Sequence, residues 1–154
     1  MQIQNVALLA FLGSFFLLIL FLALASYILA AIGLYTMAKN QDIENAWIAW
    51  IPVVQLYIIG RLIGTLYIGS YEVPQPELVL PGIAVAGSVL SNVRLIGGLI
   101  GIASLVVNLF ALHKLYSIYR PDQATLYLVV SILLPFMGPV FLFIMRNDEP
   151  VYVD

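Results

Sequence analysis

"AWIAWIPVVQLYIIGR", residues 46–61, decides how this chain is read. It places Trp47, Trp50, Pro52, Gln55 and Arg61 inside an apolar run. Tryptophan favours the membrane–water interface, because its ring is apolar and its N–H seeks water. A proline within a helix removes one backbone hydrogen bond and bends the helix. The stretch therefore reads as a transmembrane helix kinked at Pro52. Trp47 and Trp50, near Lys39, anchor one end, and Arg61 anchors the other.

The whole composition agrees. The chain has 154 residues, 63% of them apolar and only 9% charged, with a net charge of −2 and no cysteine. Soluble domains carry about 25% charged residues. The expected class is an all-α integral membrane protein, one transmembrane domain over 1–154. The charge gives no nucleic-acid footprint. Without cysteine there are no disulfides, thiolate metal sites or cysteine nucleophiles.

Because about 20 apolar residues cross a bilayer as a helix, four spans are expected, at about 6–38, 43–62, 94–113 and 124–145. The first is longer than a bilayer needs, so it tilts or projects. "ALA" at 23–25 looks like a signal-peptide cleavage site, but no Lys or Arg precedes the run, so an uncleaved span is expected. Residues 63–93 form a hydrophobic insert, expected as short helices on the outer face, interrupted at Pro74, Pro76 and Pro81. The competing reading is one long helix through 78–112.

Two parts of the chain echo each other. "GLYTMAKNQDIENAWIAWIPVVQLYIIGR" (33–61) lies over "KLYSIYRPDQATLYLVVSILLPFMGPVFLFIMR" (114–146). Each has Leu-Tyr, a basic residue, an aspartate, an apolar helix with proline, and an arginine. This is the pattern of a parallel repeat of helix hairpins. Pro135 and Pro139 are the kink positions of the second copy, as Pro52 is of the first.

The residues 35–64 also resemble a group of small bacterial multi-pass membrane proteins with no assigned activity. The shared pattern is a basic loop, Trp-x-Ala-x-Ile-Pro, then a tyrosine, a basic residue and a glycine. Trp47, Ala49, Ile51, Pro52, Tyr57, Arg61 and Gly64 carry it here, and "LLPFMGPVFLFIMRN" (133–147) resembles the group's closing helix. Where that group has a glycine before the tryptophan and an asparagine before the tyrosine, this chain has Ala46 and Leu56. Some members of the group are labelled signal peptidases. No serine–lysine dyad is visible here, and Lys39 and Lys114 both lie at helix ends in polar loops.

Nothing else points to chemistry. The acids Asp42, Glu44, Glu72, Glu77, Asp148 and Glu149 all lie in polar segments, and His113 has no second imidazole. No enzyme activity, cofactor or metal is expected. Arg61 and Arg94 are the charges inside hydrophobic surroundings. With Arg146, they are the candidate residues for an anion or a lipid phosphate, which the guanidinium fork suits. The alternative is that they reach out to the headgroups. "GRLIG" (60–64), "GIAVA" (82–86) and "GGLIG" (97–101) have the small-xxx-small spacing of close helix contacts. The expected function is that of a non-enzymatic accessory or scaffold subunit. Its partners are the lipid bilayer and another membrane protein or a second copy. The alternative is a small transporter, channel or anionic-lipid-binding protein using Arg61 and Arg94. The expected location is the cell membrane. Lys39, Lys114 and Arg120 place the loops 39–42 and 113–123 in the cytoplasm and both termini outside.

Overall fold

The computed structural model describes residues 2–90 and 93–151, with side chains at 6–90, 93 and 97–151. The first helix, α1 (Gln2–Asn40), has 39 residues. At the α-helical rise it is about 58 Å long. Every residue from Val6 to Leu24 is exposed, and burial begins only near Ala30. The rest of the molecule packs around the second half of this helix.

The helix expected over 43–62 is broken. Ala46–Trp50 forms a short 3-10 helix, residues 51–54 are turn backbone, and α2 (Gln55–Ile63) follows. Pro52 has no N–H to continue the ladder. Val53 beside it adopts φ 67, a left-handed conformation that is rare for a β-branched residue. Arg61 is in the last turn of α2.

The insert differs from expectation too. Leu66–Ile68 (β1) and Tyr71–Val73 (β2) pair as an antiparallel hairpin with Leu66 opposite Val73. Then α3 (Pro76–Leu90) runs for 15 residues with Pro81 inside it. Pro76 starts this helix, where its missing N–H costs nothing. Pro81 does not interrupt it, and removes only the bond that would reach Glu77. A single helix through 78–112 is excluded, because Val93 is a bend before α4 (Arg94–Tyr119) begins. The remaining junction residues, 91 and 92, lie outside the described residues. Gly87 faces Ile100, so α3 and α4 pack side by side and antiparallel. α4 also passes its expected end at 113. Ala111, Leu115, Tyr116, Ile118 and Tyr119 are buried, a helical spacing that carries the apolar face on into the core.

The last expected span, 124–145, is likewise two pieces, α5 (Ala124–Leu133) and α6 (Met137–Met145). Leu134, Pro135 and Phe136 separate them. Pro139 sits in the first turn of α6, where it is tolerated. The two helices double back on each other. Tyr127 stacks on Phe141 with ring centroids 4.0 Å apart, and Gly138 lies against Ser131. α6 therefore returns to the end from which α5 set out.

Three bonds fix that end. Arg120 pairs with Asp148, Asn40 Nδ2 donates to the Arg146 carbonyl at 3.1 Å, and Val151 N–H donates to the Ile118 carbonyl at 2.7 Å. The last turns of α1, α4 and α6 thus share one polar end, here called the loop end. Arg146 lies on the same side as the loops 39–42 and 120–123. Residues 147–151 are at the loop end, and α1 starts far from it.

Among the described residues, the helices long and apolar enough to cross a membrane are Val6–Asn40 within α1 and Gly97–Tyr119 within α4. α2, α5 and α6 have 9, 10 and 9 residues. Each is about 15 Å long, against a hydrocarbon core of about 30 Å. The core of buried side chains, including Leu34, Met37, Ile58, Leu66, Leu80, Leu115, Tyr116 and Met145, gathers toward the loop end.

Candidate functional site

The structure does not bring Arg61 and Arg94 together. Gly60 lies against the backbone of Pro76 and Glu77, where α3 begins. Arg94 opens α4, just past the far end of α3. The length of α3, roughly 20 Å by helical rise, separates them. The Arg94 side chain lies outside the described residues. Arg61 is exposed. Arg146 is engaged elsewhere: its Nη1 donates to the Phe143 carbonyl at 2.6 Å, and its guanidinium lies 3.8 Å from the Phe143 ring centroid. It caps the end of α6.

The aromatic anchors do not sit level with Lys39. Lys39 Nζ is over the Tyr35 ring. Trp47 and Trp50 are exposed, but the Trp50 carbonyl accepts from the Tyr27 hydroxyl. Tyr27 is a dozen residues before Lys39, about 18 Å along α1. The 3-10 helix thus climbs α1 away from the loop end, and α2 comes back. The paired segments 46–63 and 124–145 have the same design: in, a proline-bearing break, and out. Their contacts cross over. α6 of the second segment packs on α1, and α2 of the first packs on α4.

Two glycines set how close the helices come. A Cβ on Gly33 would lie 2.7 Å from the carbonyl carbon and oxygen of Leu142. A Cβ on Gly60 would lie 2.2 Å from Glu77 Cα. Backbone is the neighbour in both cases, so no side chain can turn aside. Gly33 was not singled out in the sequence, although the small residues Ala30, Ala31 and Gly33 are a legible signal.

Other glycines of the spacing motifs do the opposite. Gly82, Gly98 and Gly101 have nothing within 4 Å of a built Cβ. Gly98 and Gly101 lie with exposed Ile102 and Leu105 on one face of α4. Among the described residues, nothing packs against that face at Gly98 and Gly101, where the missing side chains leave a shallow trough.

A buried polar cluster was also missed by sequence reasoning. Tyr116 and Ser131 share a hydrogen bond of 2.9 Å, and Ser131 donates to the Tyr127 carbonyl at 2.7 Å. The rings of Tyr127 and Phe141 meet Tyr116 edge-on. This pins α4 to the α5–α6 pair. Both hydroxyls have a hydrogen-bond partner within the cluster.

At the loop end, Arg120 grips Asp148 through Nε at 2.5 Å and Nη2 at 3.2 Å. That hydrogen bond and the carboxylate's charge hold the Arg120 pKa above its already high ordinary value. Among the described residues, no group of three or more His, Asp or Glu is placed to hold a metal ion. Comparison of the chain with protein-family models, with curated proteins and with solved structures returned no match.

Proposed function

We propose that this chain is a non-enzymatic membrane subunit that packs against another membrane helix, from a partner or a second copy, through the open face of α4. The observation that carries this reading is the trough at Gly98 and Gly101. Glycine costs helix stability relative to alanine, and these positions repay no contact within the chain. Small residues that let backbones approach are the recurring device of helix association in bilayers.

In this reading α1 and α4 cross the bilayer. The segments 46–63 and 124–145 enter from the loop end and turn back within it. α1 lies beside both breaks, at Tyr27 and Trp50 and at Ser26 and Pro135, and residues 51–53 and 134–136 keep an exposed side. Lys39, Lys114, Arg120 and Arg146 cluster toward the loop end, and Arg94 lies at the far end of α4. The positive-inside rule then puts the loop end and residues 147–151 in the cytoplasm, and the start of α1 on the other side.

The test uses a photo-crosslinker at Leu105, beside the trough, in native membranes. Protein adducts are expected there, and none from the same crosslinker at Leu126, an exposed residue of α5. Gly101→Leu fills the trough without touching the chain's own core, so it should abolish the adducts while leaving stability intact. Equal adducts with and without that substitution would overturn the proposal. A site shared by Arg61 and Arg94 is not favoured, because α3 holds them apart.

A further inference from the structure

Beside α4, on the flank toward α5, Leu109, Phe110, His113 and Leu128 line an open cleft of about 370 Å³. Its walls are apolar except at His113. Just above it on α4, Leu105 is exposed, as is Phe110 in its wall, and just below it Lys114 is exposed as well. The described ion pair is Arg120–Asp148; no acid is paired with Lys114 or His113 among the described residues. Seen along the helix, the surface passes from apolar side chains to an imidazole and then to an ammonium, within two turns.

We infer that this cleft seats one anionic phospholipid, with an acyl chain along Leu109, Phe110 and Leu128 and the phosphate against His113 and Lys114. The inference rests on the bilayer placement proposed above, but not on the packing role of α4. A concave surface facing hydrocarbon is filled by lipid chains, because a void forfeits dispersion contacts. What selects one lipid over another is the polar end. His113 is six residues, about 9 Å, short of the end of α4 at Tyr119, and Lys114 is one residue closer to that end. A lysine there buries its stem and carries its charge to the headgroup level. A lysine near the cytoplasmic surface attracts anionic lipid. Charge complementarity thus favours phosphatidylglycerol over zwitterionic phosphatidylcholine.

The test is native mass spectrometry of the purified full chain with added phosphatidylglycerol or phosphatidylcholine. Wild type should retain one phosphatidylglycerol at least about fivefold more than phosphatidylcholine. Lys114→Gln and His113→Leu should each cut that preference to near unity, with no loss of thermal stability in detergent alone. Lys39→Gln, on the other long helix, should keep it. Equal retention of the two lipids by wild type would overturn the site, as would a preference unchanged in both cleft variants. A variant that unfolds in detergent is replaced by Lys114→Arg. Arginine keeps the charge and should keep the preference, and its loss there would also count against the site. Failure of the bilayer placement shows separately: the chain would then leave membranes in alkaline carbonate without detergent.

Discussion

Gly33→Ala is the perturbation whose cost the structure fixes best. The added Cβ would meet the Leu142 carbonyl carbon and oxygen at 2.7 Å and the Phe143 nitrogen at 3.0 Å. Ordinary contact for such atoms begins at about 3.4 Å, so α6 must retreat by roughly 0.7 Å to accept a methyl group. Overpacking of this kind costs about 1–3 kcal/mol. Alanine returns up to about 1 kcal/mol through its better helix propensity, leaving a net loss of about 0–2 kcal/mol. Gly60→Ala should cost more, since its Cβ would lie 2.2 and 2.3 Å from Glu77 Cα and N. The control is Gly101→Ala, with nothing within 4 Å, which should be neutral or slightly stabilising. Reversible unfolding in mixed micelles, followed by circular dichroism against the fraction of denaturing detergent, measures all of these. A Gly33→Ala chain stabilised as much as the Gly101→Ala control would refute the close approach of α1 and α6. So would an equal loss at Gly101.

Other substitutions probe the remaining contacts by the same unfolding assay. Tyr116→Phe removes the bond to Ser131 while Ser131 keeps the Tyr127 carbonyl, so a loss of about 0.5–1.5 kcal/mol is expected. Ser131→Ala should cost more, because it leaves the buried Tyr116 hydroxyl unpaired. Val53→Gly relieves the backbone at φ 67, and should be neutral to about 1 kcal/mol stabilising despite glycine's greater freedom when unfolded. Arg120→Gln breaks a pair whose side chains are 37% and 27% exposed. Its cost should stay below about 1 kcal/mol and shrink as salt is raised.

The membrane-like composition and the two long helices were legible in the sequence, because a run of apolar residues says length directly. The breaks were not. Pro52 and Pro135 signal a bend equally well in a spanning helix and in a hairpin, and hydropathy is blind to the direction of the chain. The left-handed backbone at Val53 leaves no trace in the residue type. The clue to the hairpins was the echo itself. Its apolar stretches place proline near the middle, with only about ten residues on each side. Pro81 misled in the other direction, since a proline in an apolar helix removes one bond without ending it. Sequence shows similar surroundings for Arg61 and Arg94, which leaves a shared anion site and two separate headgroup contacts equally legible. The distance between them is set by α3, whose continuity the prolines disguised. The glycine motifs were legible as seams, but not as filled or open. Only the packing separates Gly60, pressed on α3, from Gly98 and Gly101, which face outward.

The decisive feature of the fold is that α6 returns to the end that α5 left. The chain has no cysteine, so single cysteines report side without interference. Asp122 and Glu149 are both exposed, one before the α5–α6 pair and one after it. Asp122→Cys and Glu149→Cys should both resist a membrane-impermeant maleimide in intact cells and both react in inverted vesicles. Reaction of one from each side would mean that residues 124–145 cross the bilayer, and would contradict the fold described for this end of the chain.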